Sequence, residues 1–167
     1  MVYKMVMYVD GGCRGNGYPG AYGACACFVV RRWGQNETFA RRLPESMRPV
    51  PTNQRAELYA IIIALKHAIK ERGFLDGNPY MEVTIHTDSK YAHGCMTDWY
   101  RKWQGNGFIN SLGNEVVNRD LIERALELQS DILDYGNVTW EWVPRSDNTV
   151  ADEAANDEMD EMEEEWE

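Results

Sequence analysis

The sequence predicts an α/β fold: a five-stranded mixed sheet with helices on both faces and elements in the order βββαβααβα. Three observations predict it. The opening of the chain reads as three consecutive strand-like runs joined by turn residues, the pattern of an antiparallel meander. A long helical pattern, Asn53–Arg72, then stands between that meander and the strand Glu82–Thr87, the alternation of a parallel crossover. Beyond it come further helical stretches, a last alternating strand and a last helix.

Met1–Val9 is apolar and β-rich and stops at Asp10-Gly11-Gly12, a strand followed by a turn. Ala21–Arg31 and Gly34–Arg41 are the next two strands, separated by Arg32-Trp33, and Leu43–Thr52, with three prolines, is a loop. In Asn53–Arg72 the residues Ala56, Tyr59, Ala60, Ile63, Ala64 and Ala68 recur at helical spacing, and Gly73 supplies a stop. Asp76–Pro79 is a turn, and Asp88-Ser89 opens a second helical stretch that runs through Trp99 and Trp103. A Gly- and Asn-rich loop, Gln104–Gly113, leads to a helix from about Glu115 to Leu133. Val138–Val143 alternates strictly and is the fifth strand; the short loop 144–149 leads into a helix beginning near Val150.

The 167 residues make one domain, and 44 % apolar with 26 % charged residues excludes wholesale disorder. The net charge of −10 argues against a nucleic-acid partner only until it is located. Eight of the 27 carboxylates follow Asn156, which leaves 19 against 17 Lys and Arg in residues 1–156, a net of −2. The domain is therefore read as 1–156, and 157–167 as an acidic tail. Ala155, Met159, Met162 and Trp166 fall on one helical face, so the tail extends the last helix, with fraying expected at its end because its charges oppose the helix dipole. No apolar run is long enough for a membrane span, and the N-terminus reads as a strand, not a signal peptide. Cys13, Cys25, Cys27 and Cys95 form no CxxC pair, and His67, His86 and His93 complete no zinc spacing. Cys25 and Cys27 alternate on one strand as small buried residues, which implies a reducing, intracellular home.

Four carboxylates stand at element ends. Asp10 and Asp88 close strands, Glu57 lies in the first turn of a helix, and Asp152 begins the last one. Singly, each reads as turn or cap chemistry. Jointly, the strand ends and helix starts face one side of an α/β sheet, where sites form. Four carboxylates in one place repel unless cations lie between them, and hard divalent cations take such all-oxygen ligands. The combination suggests metal-assisted phosphoryl chemistry.

At these residues the chain resembles the type 1 ribonucleases H. The matching segments are Tyr8–Asn16 (YVDGGCRGN), Thr52–Leu58 (TNQRAEL), Thr87–Ser89 (TDS), Thr97–Trp103 (TDWYRKW), Trp140–Pro144 (WEWVP) and Ala151–Ala155 (ADEAA), in the family's order across residues 1–156. The resemblance implies the ribonuclease H-like fold and endonucleolytic hydrolysis of the RNA strand of RNA–DNA hybrids by two metal ions, leaving 3′-hydroxyl and 5′-phosphate ends. It implies Asp10, Glu57, Asp88 and Asp152 as catalytic ligands of two Mg2+, with Mn2+ a substitute. It further implies RNA-strand contacts at Cys13, Asn16, Asn53 and Gln54. DNA-strand contacts are implied at Thr52, Tyr91, Trp99, Trp103 and Asn118. Asn16 also reads as an Asn-Gly turn, Asn53 as a helix cap, and the three aromatics as a core stripe. Arg14, Arg101 and Lys102 adjoin these motifs and are expected at phosphates; the partner is the hybrid, bound by a monomer that meets no membrane.

Three departures from the family pattern stand out. The loop 144–149 lacks the His that the family often carries, which leaves its work to Arg145, to Asp147 or to no residue at all. Val50 stands where the phosphate pocket often has an Arg, with Arg48 nearby as a substitute. The segment Gln104–Val117 contains no Lys or Arg where a basic handle is usual, so weaker and less salt-sensitive hybrid binding is expected. The competing readings are a non-catalytic nucleic-acid-binding module of the same fold and a ribonuclease H domain cut from a larger polyprotein such as a reverse transcriptase. A transposase or integrase core would lack the DGG, TNQRAE and TDS combination. A nucleotide cradle at Gly11–Gly17 fails for want of a GK[ST] ending.

Overall fold

In the computed structural model, residues 1–31 and 34–167 are described; the turn assigned to Arg32-Trp33 lies outside the described residues. The chain runs β1 (Val2–Arg14), β2 (Tyr22–Val30), β3 (Glu37–Arg42), α1 (Asn53–Arg72), β4 (Tyr80–Thr87), α2 (Lys90–Gly94), a wide helical turn Cys95–Trp99, α3 (Tyr100–Asn106), α4 (Arg119–Leu133), β5 (Gly136–Trp142) and α5 (Thr149–Glu165). The strands form one sheet in the order β3-β2-β1-β4-β5. The β1–β2 and β2–β3 pairs are antiparallel, and β1–β4 and β4–β5 are parallel. The expected five-stranded mixed sheet is thus present.

Alternation along the strands sorts side chains between two layers. Met5, Met7, Val9, Cys25, Cys27, Val83 and Ile85 join the buried cluster with Ala56, Ile61, Leu65 and Ala68 of α1 and Ile122 and Ala125 of α4. Ala24 and Ala26 point the other way and are fully buried, small enough for α5 to lie close against β2. Of the stripe read from the sequence, Ala155, Met159 and Met162 are buried along α5, with Ala151 before them, whereas Trp166 lies past the end of the helix and is 57 % exposed.

Several boundaries differ from the sequence expectation, three of them by enough to matter. β1 does not stop at Asp10-Gly11-Gly12: it stays paired with β2 through Arg14↔Tyr22, and the turn follows at Gly15, Gly17 and Gly20, all at positive φ. Those early glycines serve close packing, since a Cβ on Gly11 would sit 2.2 Å from the Ala56 carbonyl oxygen of α1. α4 starts at Arg119, four residues later than expected, because Asn118 adopts a left-handed conformation (φ 64°) that a helix cannot include. The second helical stretch instead runs past Trp103 to Asn106 and ends on Gly107 at φ 77°.

Candidate active site

The parallel pairing of β1 with β4 ends at Val9↔Thr87, so Asp10, inside β1, and Asp88, just past β4, are the next residues where that pairing stops. Glu57 arrives from α1, whose start is capped by the Thr52 hydroxyl accepting from Arg55 N–H at 3.1 Å. It lies in the second turn, not the first, because the helix begins at Asn53. The absent Cβ of Gly11 is what lets this turn approach β1. One carboxylate oxygen each from Asp10, Glu57 and Asp88 lie within 4.8 Å of one another. Asp152, in the first turn of α5, lines the same pocket as Asp10 and Glu57.

The cluster is electrostatically loaded. Burial first, then the charges of Asp88, Asp152 and Glu57, push the Asp10 carboxyl up to about 8. Glu57 is also raised, chiefly by burial and further by Asp88, against the opposing hydrogen bond from Ser89 and the charge of Arg145. A cation between these oxygens would relieve both the desolvation and the repulsion, and an all-oxygen donor set suits a hard divalent ion. The residues present therefore fit the metal role expected of them.

The structure also shows what orients the cluster. Asn148, only 1 % exposed, donates from Nδ2 to the Val9 carbonyl at 2.8 Å and to an Asp88 carboxylate oxygen at 3.3 Å. Trp142 Nε1 donates to the Asp88 carbonyl at 3.0 Å. Sequence reasoning missed Asn148; an Asn just before a helix signals a cap, and its carbonyl does accept the Asp152 N–H at 3.1 Å. Arg145 lines the carboxylate pocket, whereas Asp147 lines a separate cleft with Tyr8 and Phe28, so of the two only Arg145 faces the carboxylates.

The residues expected at the RNA strand are joined to one another. Cys13 N–H donates to Asn53 Oδ1 at 3.0 Å, and Asn53 N–H donates to Asn16 Oδ1 at 2.7 Å, which pins the β1–β2 turn to the start of α1. The cap suggested for Asn53 is supplied instead by Thr52, and burial pushes the Cys13 thiol up. Gln54 is exposed, and its Oε1 accepts from Asn118 Nδ2 at 3.4 Å. That amide links the two strand-contact sets: Asn118 Nδ2 donates to the Tyr91 hydroxyl at 2.9 Å, and its Oδ1 accepts from buried Arg55 at 3.2 Å. Arg55 is held in turn by Asp120 at 2.7 Å.

Tyr91, Trp99 and Trp103 form a run of rings, with centroids 6.1 Å and then 6.0 Å apart. Tyr91 and Trp103 are partly buried against the core, while Trp99 is 43 % exposed. Two of the three rings therefore pack as a core stripe would, and the third is open to solvent. Of the three cations expected at phosphates, Arg101 and Lys102 are exposed on α3. Arg14 lines the carboxylate pocket but is ion-paired with Asp160 and Glu163 of α5 at 2.8 and 2.9 Å. Arg48, the candidate substitute in the phosphate pocket, donates from Nη1 to the carbonyls of Glu45 and Met47 in its own loop.

Residues 3–160 match the family described as RNase H. The chain is 34 % identical over 160 residues to the ribonuclease H of Marinobacter nauticus, covering 93 % of this chain and 94 % of that one. It is 36 % identical over 137 residues to that of Saccharopolyspora erythraea, covering 82 % and 76 %. Among solved structures it resembles in fold the RNase H1 of Halobacterium salinarum, with a TM-score of 0.65 and 21 % identity over 95 % of this chain and 99 % of that one. It likewise resembles LC11-RNase H1 in complex with an RNA/DNA hybrid, with a TM-score of 0.63 and 21 % identity over 92 % and 94 %. A carboxylate cluster at the strand ends, and a match that spans nearly every element carrying it, lead to one conclusion: the chain belongs to the ribonuclease H family of hydrolytic endoribonucleases.

Proposed function

We propose that the chain cleaves the RNA strand of RNA–DNA hybrids endonucleolytically, leaving 3′-hydroxyl and 5′-phosphate ends. The observation that carries this reading is the convergence of Asp10, Glu57 and Asp88, from three separate elements, to within 4.8 Å around one buried carboxyl. Together with Asp152 they would hold two divalent ions, Mg2+ in the cell and Mn2+ as a substitute. Such ions supply an activated water and charge compensation at the leaving 3′-oxygen.

The chain's own residues do the rest. Asp10 is the innermost ligand, kept out of bulk water on the β1–β2–β4 sheet. Ser89 and Arg145 favour ionised Glu57, and Asn148 fixes which way Asp88 points. Arg145 takes the place of the loop His as the cation at the mouth of the pocket, where it meets the scissile phosphate. Cys13, Asn16, Asn53 and Gln54 read the 2′-hydroxyls of the RNA strand across the minor groove. Thr52, Asn118, Tyr91, Trp99 and Trp103 seat the DNA strand, with Arg101 and Lys102 at its phosphates. We further propose that the chain acts as a monomer in a reducing, intracellular compartment. The four cysteines are free, which supports the compartment. No helix of the described residues is long and apolar enough to cross a membrane.

The test is direct. Labelled RNA–DNA hybrid, double-stranded RNA and double-stranded DNA are incubated with the protein, with and without Mg2+. Metal-dependent cleavage confined to the RNA strand of the hybrid is expected. Binding without cleavage would favour the non-catalytic module instead.

A further inference from the structure

Residues 157–165 are not loose acidity. They continue α5 across the β1–β2 end of the sheet, with Met159 and Met162 buried. The Met159 methyl lies 2.9 Å from where a Cβ on Gly12 would be, two residues from Asp10. Along this stretch the acids are aimed at particular cations. Arg14 Nη1 meets Asp160 at 2.8 Å and Glu163 at 2.9 Å, and the Tyr22 hydroxyl donates to Glu163 as well. Arg42 donates to Glu158 at 2.6 Å and, through both terminal nitrogens, to Glu165 at 2.7 and 2.8 Å. Trp166 closes the stretch edge-on to Tyr22, with centroids 4.6 Å apart.

Among the described residues, Arg14 and Arg145 are the two basic side chains that line the carboxylate pocket. One of them is therefore already neutralised from within the chain. A guanidinium holding two carboxylates has the partners a phosphate would offer it: anionic oxygens accepting charge-assisted hydrogen bonds. The side chains of Asp160 and Glu163 are 59 % and 46 % exposed, so these pairs are weak and solvent-exchangeable, the kind that a polyanion displaces.

We propose that the acidic end of α5 is a built-in phosphate mimic. Asp160 and Glu163 occupy Arg14 in the free protein, and the nucleic-acid backbone must displace them to bind there. The inference rests on the proposed hybrid substrate. Its mark is an ion exchange: when a phosphate replaces the two carboxylates, the freed acids take up cations, so the salt dependence of binding is shallower than the number of phosphate contacts requires.

The experiment compares hybrid affinity in chelator, where no turnover occurs, for four full-length proteins. These are the wild type, D160N/E163Q, D157N/E164Q and D160N/E163Q/R14A. The first pair of substitutions frees Arg14; the second removes the same charge from exposed acids of the same helix that have no ion-pair partner among the described residues. Glu158, Glu165, Met159 and Met162 stay in place, so the helix keeps its docking, and an unchanged far-ultraviolet spectrum verifies it. D160N/E163Q is expected to bind about fivefold tighter at low salt, with a salt slope steeper by about one ion. D157N/E164Q should match the wild type, and R14A should cancel the gain. Equal tightening by both pairs would mean general repulsion and overturn the inference, as would no tightening in a wild type that binds. Failure of all four proteins to bind hybrid would overturn the substrate reading along with it.

Discussion

The Asn148 side chain donates to Asp88 at 3.3 Å while donating to the Val9 carbonyl at 2.8 Å. Val9 immediately precedes Asp10, and the Asn148 carbonyl accepts the Asp152 N–H. The side-chain amide and the backbone carbonyl of this one buried residue therefore tie together the segments that carry three of the four carboxylates. Its own place is set further by the turn before it, where the Asn148 N–H donates to the Arg145 carbonyl at 3.0 Å.

Removing that amide should affect turnover more than binding. Asn148→Ala is expected to lower kcat about tenfold with little change in KM, because the group orients a ligand and touches no substrate. It also removes the buried hydrogen bond to the Val9 carbonyl, at a cost of about 1 kcal/mol. Asn148→Asp keeps the shape but exchanges two N–H donors for another negative charge, and should be the worse variant. Steady-state cleavage of hybrid and a thermal melt of each protein check this; a raised KM with unchanged kcat would contradict it.

Gly11 and Gly12 should part company on substitution. A Cβ on Gly11 meets backbone, 2.2 Å from the Ala56 oxygen and 2.7 Å from the Glu57 nitrogen, so α1 must shift and carry Glu57 with it. Gly11→Ala is expected to cost about 3 kcal/mol and to abolish cleavage even where the protein remains folded. A Cβ on Gly12 meets only the tip of the Met159 side chain, which can turn aside. Gly12→Ala should lose less than about 1 kcal/mol. Urea denaturation and hybrid cleavage of the two variants would separate them.

This contrast marks how far the sequence could be read. α1 was legible because local features agreed: apolar spacing, the Thr52-Asn53 start and the Gly73 stop. The strand ends bearing Asp10 and Asp88 followed from the alternation of elements. Gly11-Gly12 were misread as a turn because their role is a close approach by a helix more than forty residues away, which no local pattern signals. The start of α4 was misplaced for a similar reason: Asn118 is held by Tyr91, Gln54 and Arg55, all distant in sequence. The tail stripe was legible as a helical face, but the pairing of its acids with Arg14 and Arg42 was not. Long-range ion pairs leave no periodicity.

The strain of the carboxylate cluster should appear as a pH-dependent stability gain on neutralisation. The Asp10 carboxyl is raised from 3.8 to about 8, chiefly by burial. A raised acid favours folding while protonated, so its contribution is full below about pH 4 and is lost as pH climbs through about 8. Asp10→Asn removes that loss. In chelator the variant should therefore melt above the wild type by a margin that grows from about pH 4 to about pH 8 and then levels off. Each kcal/mol recovered corresponds to about 2–4 °C in a chain of this size. Excess Mg2+ should shrink the margin by stabilising only the wild type. The same substitution should abolish cleavage, so a variant that is both less stable and active would contradict the placing of Asp10 at the centre of the cluster.

The run of three aromatics should separate binding from stability. Trp99 is 43 % exposed and rests over Gly94, where an added Cβ would lie 2.7 Å from its ring. Trp103 is partly buried between Trp99 and Phe108 and packs on the core. Truncating an exposed ring that stacks on a base costs about 1–3 kcal/mol of binding and almost nothing in folding. Trp99→Ala is thus expected to weaken hybrid binding about tenfold at constant melting temperature. Trp103→Ala removes core packing and should destabilise the fold by about 2–3 kcal/mol. Gly94→Ala supplies the internal control: it keeps the Trp99 ring but tips it off its seat, and should weaken binding in the same direction as Trp99→Ala. If Trp99→Ala instead lowers stability and leaves affinity intact, the run of rings is a core stripe along its whole length and the DNA strand lies elsewhere.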